Sequence, residues 1–105
     1  MKKSNLSDQV VEFVLNCSLD EFQNLTVSKI ASTFSVNRCY LSRKFKGDKD
    51  FTLCEFLIRE KLNRSVILLR ENNEMTIREL SQKLGFSNTN YFIQIFKNYY
   101  GAPPG

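Results

Sequence analysis

The sequence predicts an all-α fold of about six to seven helices, arranged as two helix-turn-helix subdomains joined by a long linker helix. One reason is a repeated frame: Thr26-Val27-x-x-Ile30-Ala31-x-x-Phe34-x-Val36 returns as Thr76-Ile77-x-x-Leu80-Ser81-x-x-Leu84-Gly85-Phe86. Each copy continues into a second frame, Tyr40-Leu41 to Phe45-Lys46 and Tyr91-Phe92 to Phe96-Lys97. A short helix, a tight turn and a second helix are therefore expected twice.

The length of the chain favours a single domain. Its 105 residues, 42% of them hydrophobic, can bury one modest core. Within this single domain, residues 1–105, we place the first helix-turn-helix subdomain at 7–46, the linker helix at 52–70 and the second subdomain at 76–100.

The first subdomain begins with an amphipathic helix that Ser7 or Asp8 is placed to cap. Its apolar stripe has helical spacing and consists of Leu6, Val10, Phe13, Val14 and Cys17. Residues 19–25 are predicted to form a polar connector.

Two shorter helices follow the connector. We expect Thr26 to cap a helix that ends near Phe34, and Asn37 to begin a third helix that ends at about Lys46. The charged segment Gly47-Asp48-Lys49-Asp50 is predicted to be a loop.

The linker helix is marked by a start signal and an apolar stripe. Thr52 and Glu55 have the spacing of a capping box. The core-facing positions are Leu57 or Ile58, Leu62, Val66 and Leu69. We expect Asn72-Asn73 to break this helix.

The second subdomain repeats the pattern of the first. Thr76 and Glu79 form another capping box, which opens a fifth helix. Gly85 suits the left-handed conformation that ends such a helix. A sixth helix runs from Asn88 to Tyr99, and Pro103-Pro104 ends regular structure.

The positive charge is concentrated in the middle of the chain. Formal net charge is +4, but residues 1–25 carry −2, residues 26–70 carry +6 from ten basic and four acidic residues, and residues 71–105 are neutral. An anionic partner is therefore expected to approach the first repeat.

The three cysteines predict a protein of a reducing compartment without a metal site. Cys17, Cys39 and Cys54 lack Cys-x-x-Cys spacing, and the chain has no His. No apolar run approaches the roughly 20 residues that cross a bilayer, and no signal-peptide core follows Met1. We therefore expect a cytoplasmic protein with no membrane segment and no cofactor.

The residue inventory argues against an enzyme. The chain has no His, no glycine-rich phosphate loop and no nucleophile elbow, and its 11 acidic residues are scattered among cations. Two helix-turn-helix units instead predict DNA binding. The alternative is a helical interaction module that contacts RNA polymerase and never reads DNA itself.

The second repeat and its tail resemble the signature of AraC/XylS-type transcriptional regulators. The matching residues are Ile77-x-x-Leu80-Ser81-x-x-x-Gly85-Phe86-x-x-x-x-Tyr91-Phe92-x-x-x-Phe96-Lys97-x-x-x-Gly101-x-Pro103, within a resemblance covering roughly residues 10–104. It implies an all-helical domain that binds double-stranded promoter DNA to regulate transcription. It also implies a sensing or receiver domain N-terminal to this one in the intact protein.

The chain departs from the family pattern at a few positions. Asp50 lies where Gly is usual, and Asp tolerates a positive φ better than most residues. Lys61 replaces a usual Arg, Ser65 and Ser81 replace Ala, and an aromatic-Arg pair expected after the final prolines is missing. We expect the fold to tolerate these changes.

The third helix is the first predicted recognition helix. Tyr40, Leu41 and Phe45 are assigned to the core by their match to the second copy. The outward positions are Arg38, Cys39, Ser42, Arg43 and Lys46. The two arginines can bond bidentately to guanine O6 and N7, while Lys44 and Lys46 suit phosphates. An arginine-rich solvated face is the alternative interpretation.

The last helix is the second predicted recognition helix, with amides in place of cations. Its outward positions are Asn88, Thr89, Asn90, Ile93 and Gln94, with Lys97 facing phosphates. Asn and Gln can read adenine, and Ile93 or the Thr89 methyl can touch a thymine methyl. The alternative is that residues 87–90 only cap the helix.

The length of the linker helix suits two grooves of one duplex. A helix of roughly 19 residues spans about 28 Å at 1.5 Å per residue. Successive major grooves on one face of DNA lie about 34 Å apart. A monomer is therefore expected to bind an asymmetric site with both recognition helices.

Three further interpretations concern groups outside these faces. Arg59, Lys61 and Arg64 either approach the DNA backbone or pair with Glu55 and Glu60, and we favour pairing. The Phe residues have core spacing, which favours packing over base stacking. Redox sensing by Cys39 lacks support from a resolving thiol.

Overall fold

The computed structural model describes residues 5–71 and 74–104 of the chain. Within these residues it contains seven α-helices and no strand, which confirms the predicted all-α class. They are α1 (Leu6–Asn16), α2 (Leu19–Gln23), α3 (Val27–Thr33), α4 (Arg38–Lys49), α5 (Leu53–Glu71), α6 (Ile77–Lys83) and α7 (Thr89–Tyr100). The predicted break at Asn72-Asn73 lies outside the described residues.

The chain divides into two compact units, Met1–Glu60 and Lys61–Gly105. The first unit contains the helix pair α3–α4 and the second contains α6–α7, while α5 contributes its N-terminal part to the first unit and its C-terminal part to the second. Each unit therefore carries one complete helix-turn-helix.

One face of α4 packs against the core of the first unit. The fully buried members of this core are Val10, Val14, Phe22, Ile30, Leu41, Phe45 and Leu53. The ring of Phe45 lies 5.8 Å from the rings of both Phe51 and Phe56, centroid to centroid. Burial of such rings is strongly favourable, so the inward face of α4 is firmly set.

The core of the second unit is a chain of aromatic rings along α7. Phe92 lies 5.0 Å from Phe86 and 5.9 Å from Phe96, and Phe96 lies 4.6 Å from Tyr100. Leu62, Leu80 and Leu84 are fully buried in the same unit. The prediction that the Phe residues serve packing is confirmed for the buried rings.

The two turns share one hydrogen-bond scheme. In the first unit the Val36 amide donates to the Ala31 carbonyl at 3.0 Å, and in the second the Phe86 amide donates to the Ser81 carbonyl at 3.0 Å. The residue before each donor is left-handed, with φ 56° at Ser35 and 85° at Gly85. The predicted role of Gly85 is confirmed.

The predicted caps are correct for the short helices. The hydroxyls of Thr26 and Thr76 accept the amides of Lys29 and Glu79, each at 3.1 Å. These side chains satisfy amides that the first turn of a helix leaves without intrahelical partners.

The start of the chain corrects two predictions. Asn5 caps α1 by accepting the Asp8 amide at 2.8 Å, whereas neither Ser7 nor Asp8 caps it, because both lie inside the helix. The predicted polar connector at 19–25 contains α2 instead. Ser18 and Glu21 form a complete capping box there, and Phe22 supplies an anchor that is fully buried.

The first recognition helix is longer than predicted. α4 continues through the expected loop to Lys49, and Asp50 ends it with φ 65°. The loop prediction is wrong because two kinds of contact support the extra turn. Lys44 and Asp48 pair one helical turn apart at 3.3 Å, and Ser7 and Asp8 of α1 contact Asp48 and Lys49. The positive φ expected at Asp50 is confirmed.

The linker helix α5 has 19 residues, as predicted, and begins one residue later than expected. The Thr52 hydroxyl accepts the Glu55 amide at 3.0 Å, which confirms the start signal. Leu57 and Leu62 are buried, whereas Val66 and Leu69 are half-buried. No helix in the described ranges has the length and apolarity that a bilayer crossing demands.

Candidate nucleic-acid interface

The N-terminus of α4 is built by an asparagine cap. The side-chain oxygen of Asn37 accepts the amides of Cys39 and Tyr40 at 2.8 and 3.2 Å. Leu41 and Phe45, one turn apart, are fully buried, which confirms their core assignment. The cap and the two anchors leave the opposite side of α4 to solvent.

The outward face of the first recognition helix is cationic. Arg38, Cys39, Arg43 and Lys46 are exposed, and Ser42 is half-buried. Cys39, Arg43 and Lys46 follow helical spacing and share one side. Within residues 5–71 and 74–104, neither arginine nor Lys46 takes part in an ion pair. Their charges are therefore available to an anion.

Two other cations of α4 are already engaged. Lys44 pairs with Asp48 at 3.3 Å, and Lys49 pairs with Asp8 of α1. Asp48 also accepts the hydroxyl of the buried Ser7 at 2.6 Å, and this hydrogen bond and the neighbouring lysines lower the pKa of the Asp48 carboxyl. These contacts tie the C-terminal turn of α4 to α1, so Lys44 is a weaker phosphate candidate than the sequence indicated.

The second recognition helix repeats the cap with the same geometry. Asn88 accepts the amides of Asn90 and Tyr91 at 2.8 and 3.2 Å. Phe92 is fully buried and Phe96 nearly so, which confirms their assignment to the core. Of residues 87–90, Asn88 therefore has the capping role that the sequence offered as an alternative. The cap uses only its side-chain oxygen, and its side-chain amide nitrogen is a hydrogen-bond donor.

The outward face of α7 carries amides and one cation. Asn88, Asn90, Gln94 and Lys97 are exposed, whereas Thr89 and Ile93 are half-buried. Asn90, Gln94 and Lys97 have the same spacing as Cys39, Arg43 and Lys46. The Thr89 hydroxyl lies 3.0 Å from the hydroxyl of buried Ser81, so the expected outward direction does not apply to this oxygen.

Two tyrosines overturn a core assignment made from the sequence. Tyr40 is 48% exposed and Tyr91 is 49% exposed, although both were expected inside. Each directly precedes a buried anchor, and a step of one residue on a helix turns a side chain by about 100° away from it. Both are therefore surface residues at equivalent positions of the two recognition helices.

The cations of α5 contact aromatic rings. Arg59 lies over Phe51 at 5.3 Å and Lys61 lies over Phe86 at 4.9 Å, each measured to the ring centroid. The sequence favours pairing of these cations with Glu55 and Glu60 of the same helix. It does not predict the ring contacts, because Phe51 and Phe86 lie outside α5. Burial lowers the pKa of the half-buried Lys61 ammonium.

Comparison with protein-family models identifies the family of the chain. A family model described as a helix-turn-helix domain matches residues 30–105. The chain belongs to the AraC-type helix-turn-helix family. The Gly-Phe, Tyr-Phe and Phe-Lys pairs of the second unit carry the resemblance, and they supply its left-handed turn residue, its buried phenylalanines and the exposed Lys97.

Relatives and solved structures of this family resemble the chain over most of its length. The Msm operon regulatory protein of Streptococcus mutans is 35% identical over 81 residues, which are 77% of this chain and 29% of that protein. The chain thus spans under a third of this curated relative. The C-terminal domain of the two-component response regulator yesN from Fusobacterium nucleatum has 26% identity and a TM-score of 0.80, covering 96% of this chain and 95% of that one.

A second solved structure shares the fold at lower sequence identity. The DNA-binding domain of AdpA, a global transcriptional factor solved in complex with a target DNA, has a TM-score of 0.77 at 19% identity. The match covers 96% of this chain and 87% of that chain. At this identity the likeness to AdpA shows a shared AraC-type fold.

Proposed function

We propose that the chain is the DNA-binding domain of a transcriptional regulator and that it binds a specific sequence of double-stranded promoter DNA. In this proposal α4 and α7 enter successive major grooves of one duplex. The observation that carries it is the exposed cationic face of α4, where Arg38, Arg43 and Lys46 are unpaired among the described residues. Free arginines on a capped helix suit guanine recognition and phosphate neutralisation.

The proposed interface consists of both outward faces. Its residues are Arg38, Cys39, Ser42, Arg43, Lys46, Asn88, Thr89, Asn90, Ile93, Gln94 and Lys97. The cations of α4 supply most of the salt-dependent affinity, since each neutralised phosphate releases counterions. The amides of α7 supply preference for A·T pairs, because Asn and Gln match adenine N6 and N7.

The comparisons support this proposal by analogy. The AdpA domain, which shares the fold, was solved with a target DNA, and the Msm relative is a regulatory protein of an operon. We therefore propose a regulatory rather than an enzymatic role, exercised in the cytoplasm. A sensing or receiver domain N-terminal to this one is part of the same proposal, supported by the greater length of the Msm relative and by the response-regulator origin of the yesN domain.

A second candidate function is contact with RNA polymerase. The observation in its favour is a pair of adjoining tyrosines near the end of α7, Tyr99 at 47% and Tyr100 at 40% exposure, in the segment 71–105, where basic and acidic residues are equal in number. Such aromatic surfaces are frequent in protein interfaces. This role is compatible with DNA binding, and a polymerase pull-down in the absence of DNA tests it separately.

The decisive experiment is selection of bound duplexes from a random library, followed by titration of the selected site at several salt concentrations. We expect one asymmetric site with two contacted segments about one helical turn apart. Affinity should fall steeply with salt. Equal affinity for the selected site and for unrelated 20-bp probes at low salt would remove the specific-regulator function.

A further inference from the structure

Ser81 has a hydrogen-bond pattern that fixes the direction of one proton. The residue is fully buried in α6, where its hydroxyl donates to the Arg78 carbonyl at 3.0 Å. The same hydroxyl lies 3.0 Å from the Thr89 hydroxyl. A carbonyl can only accept, and a serine hydroxyl has one proton. The proton between Ser81 and Thr89 therefore comes from Thr89.

This pattern removes the only side-chain donor of Thr89. A threonine hydroxyl also has a single proton, which is here directed toward the buried Ser81. The bond also holds the Thr89 oxygen on the inner side of α7, so the methyl takes another staggered position around Cβ. Thr89 is half-buried and is the first residue of α7. For a partner, Thr89 therefore keeps its methyl group and the acceptor lone pairs of its oxygen, but no side-chain donor.

We infer that Ser81 is a positioning residue for base recognition: it makes Thr89 read a thymine through its methyl group and prevents Thr89 from donating to a base acceptor. This inference rests on the proposed function, since it assigns a specificity device to the N-terminal turn of α7. Residues in that turn of a recognition helix reach base edges. Thymine alone offers a methyl group in the major groove, whereas guanine offers only acceptors there.

The first unit lacks this device. Ala31 occupies the position equivalent to Ser81, and Arg38 occupies the position equivalent to Thr89. Alanine has no hydroxyl, and arginine carries donors alone. The effect of Ser81 should therefore be confined to the segment of the site that α7 contacts, and the segment contacted by α4 provides an internal control in every selection.

The test compares base preferences of the full chain and four variants on the selected duplex. Thr89→Ser keeps the hydroxyl pair and removes the methyl, so preference for thymine at one base pair should fall about fourfold, the effect of one buried methyl. Ser81→Ala releases the Thr89 proton, so that preference should move toward guanine by about twofold to tenfold, the range of one net hydrogen bond. Thr89→Val keeps a methyl and should keep the preference for thymine.

The fourth variant separates positioning from packing. In the double variant Ser81→Ala with Thr89→Val, Ser81→Ala should add no change of base preference, because no threonine proton is left to release. A change of equal size in both backgrounds would overturn the inference, as would an unchanged profile in Ser81→Ala alone. Thermal unfolding of each variant shows that folded proteins are compared. If the parent chain selects no sequence, the proposed function fails, whereas a parent that selects a site unaffected by Ser81→Ala refutes only this inference.

Discussion

The two helix-turn-helix units use the same backbone with different side chains. Asn37 and Asn88 cap α4 and α7 with identical pairs of distances, 2.8 and 3.2 Å, and both helices have 12 residues. Yet the outward faces differ, with exposed cations on α4 and mainly amides on α7. Caps and buried anchors therefore define the shared frame, while the exposed positions differ between the two units.

The ends of the two recognition helices show a second difference. In the first unit, charged groups hold the last turn of α4, with Asp48 accepting from Ser7 and pairing with Lys44. In the second unit, the Tyr100 ring contacts those of Phe96 and Tyr99 there, tilted to the first and edge-to-face with the second, at centroid distances of 4.6 and 4.9 Å. The first arrangement depends on pH and salt, whereas the second depends mainly on apolar burial.

The largest expected effect tests the cationic against the amide face. Arg43 and Gln94 occupy equivalent positions, one in each unit. Arg43→Ala should weaken binding to the selected site by about tenfold to a hundredfold, since a bidentate guanine contact is worth roughly 1–3 kcal/mol. Gln94→Ala should mainly alter base preference. Equilibrium titration at fixed salt measures both.

Arg70→Ala is the matched control for Arg43→Ala. It removes the same charge from an exposed position in the last turn of α5. We expect its affinity to stay within about threefold of the parent. If Arg70→Ala and Arg43→Ala weaken binding equally, the cationic face of α4 has no special role and only net charge matters.

The next effect concerns the residues that end the two recognition helices. Asp50 has φ 65° and Gly101 has φ 80°, so one left-handed position is filled by aspartate and the other by glycine. A Cβ added at Gly101 would meet nothing within 4 Å, so Gly101→Ala isolates the backbone cost. It should lower the free energy of unfolding by about 1 kcal/mol.

The reciprocal change should act in the opposite direction. Asp50→Gly relieves a left-handed non-glycine residue, and we expect it to raise the free energy of unfolding by about 0.5 kcal/mol, less than the loss at Gly101 because aspartate tolerates this conformation. Urea unfolding of both variants measures the difference. The same sign for both changes would show that the two helix ends are not equivalent.

Local rules account for most of the fold. The caps at Thr26, Thr76 and Asn37, the left-handed Gly85 and the length of α5 all follow from residue types at fixed spacing. The missed helix α2 depends on Ser18, Glu21 and buried Phe22, a capping box within a segment whose polar composition suggested a loop. A search for Ser-x-x-Glu spacing would have found it.

What could not be predicted depends on contacts distant in sequence. The extension of α4 to Lys49 is supported by Ser7 and Asp8, which lie 41 residues from Asp48 and Lys49 respectively. The cation–π contact of Lys61 with Phe86 likewise joins separate segments. The exposure of Tyr40 and Tyr91 does not follow from the sequence repeat. Aligning the two copies shows that these tyrosines occupy equivalent positions, but it does not show whether those positions face the core or the solvent.

These two tyrosines lead to a smaller effect that should be shared by both units. Each has a half-exposed ring in the first turn of a recognition helix, and we expect its phenol hydroxyl to donate to a DNA phosphate when the helix binds. Tyr40→Phe and Tyr91→Phe should each weaken binding by about threefold, the effect of one net hydrogen bond, at every sequence tested. A change of base preference in either variant would instead indicate contact with a base edge.

The smallest effect tests the charged end of α4 through pH. Because the hydrogen bond from Ser7 lowers the pKa of folded Asp48 below its ordinary value of 3.8, the carboxylate stabilises the native state above that value. This contribution should be lost as the pH falls through 3.8 and below. Asp48→Asn should therefore lower the melting temperature at neutral pH, and its difference from the parent should shrink in acid. Ser7→Ala should remove most of the same pH dependence, since it deletes the main cause of the pKa shift. If the melting temperature of Ser7→Ala instead changes with pH in parallel with that of the parent, the acid sensitivity originates elsewhere in the first unit.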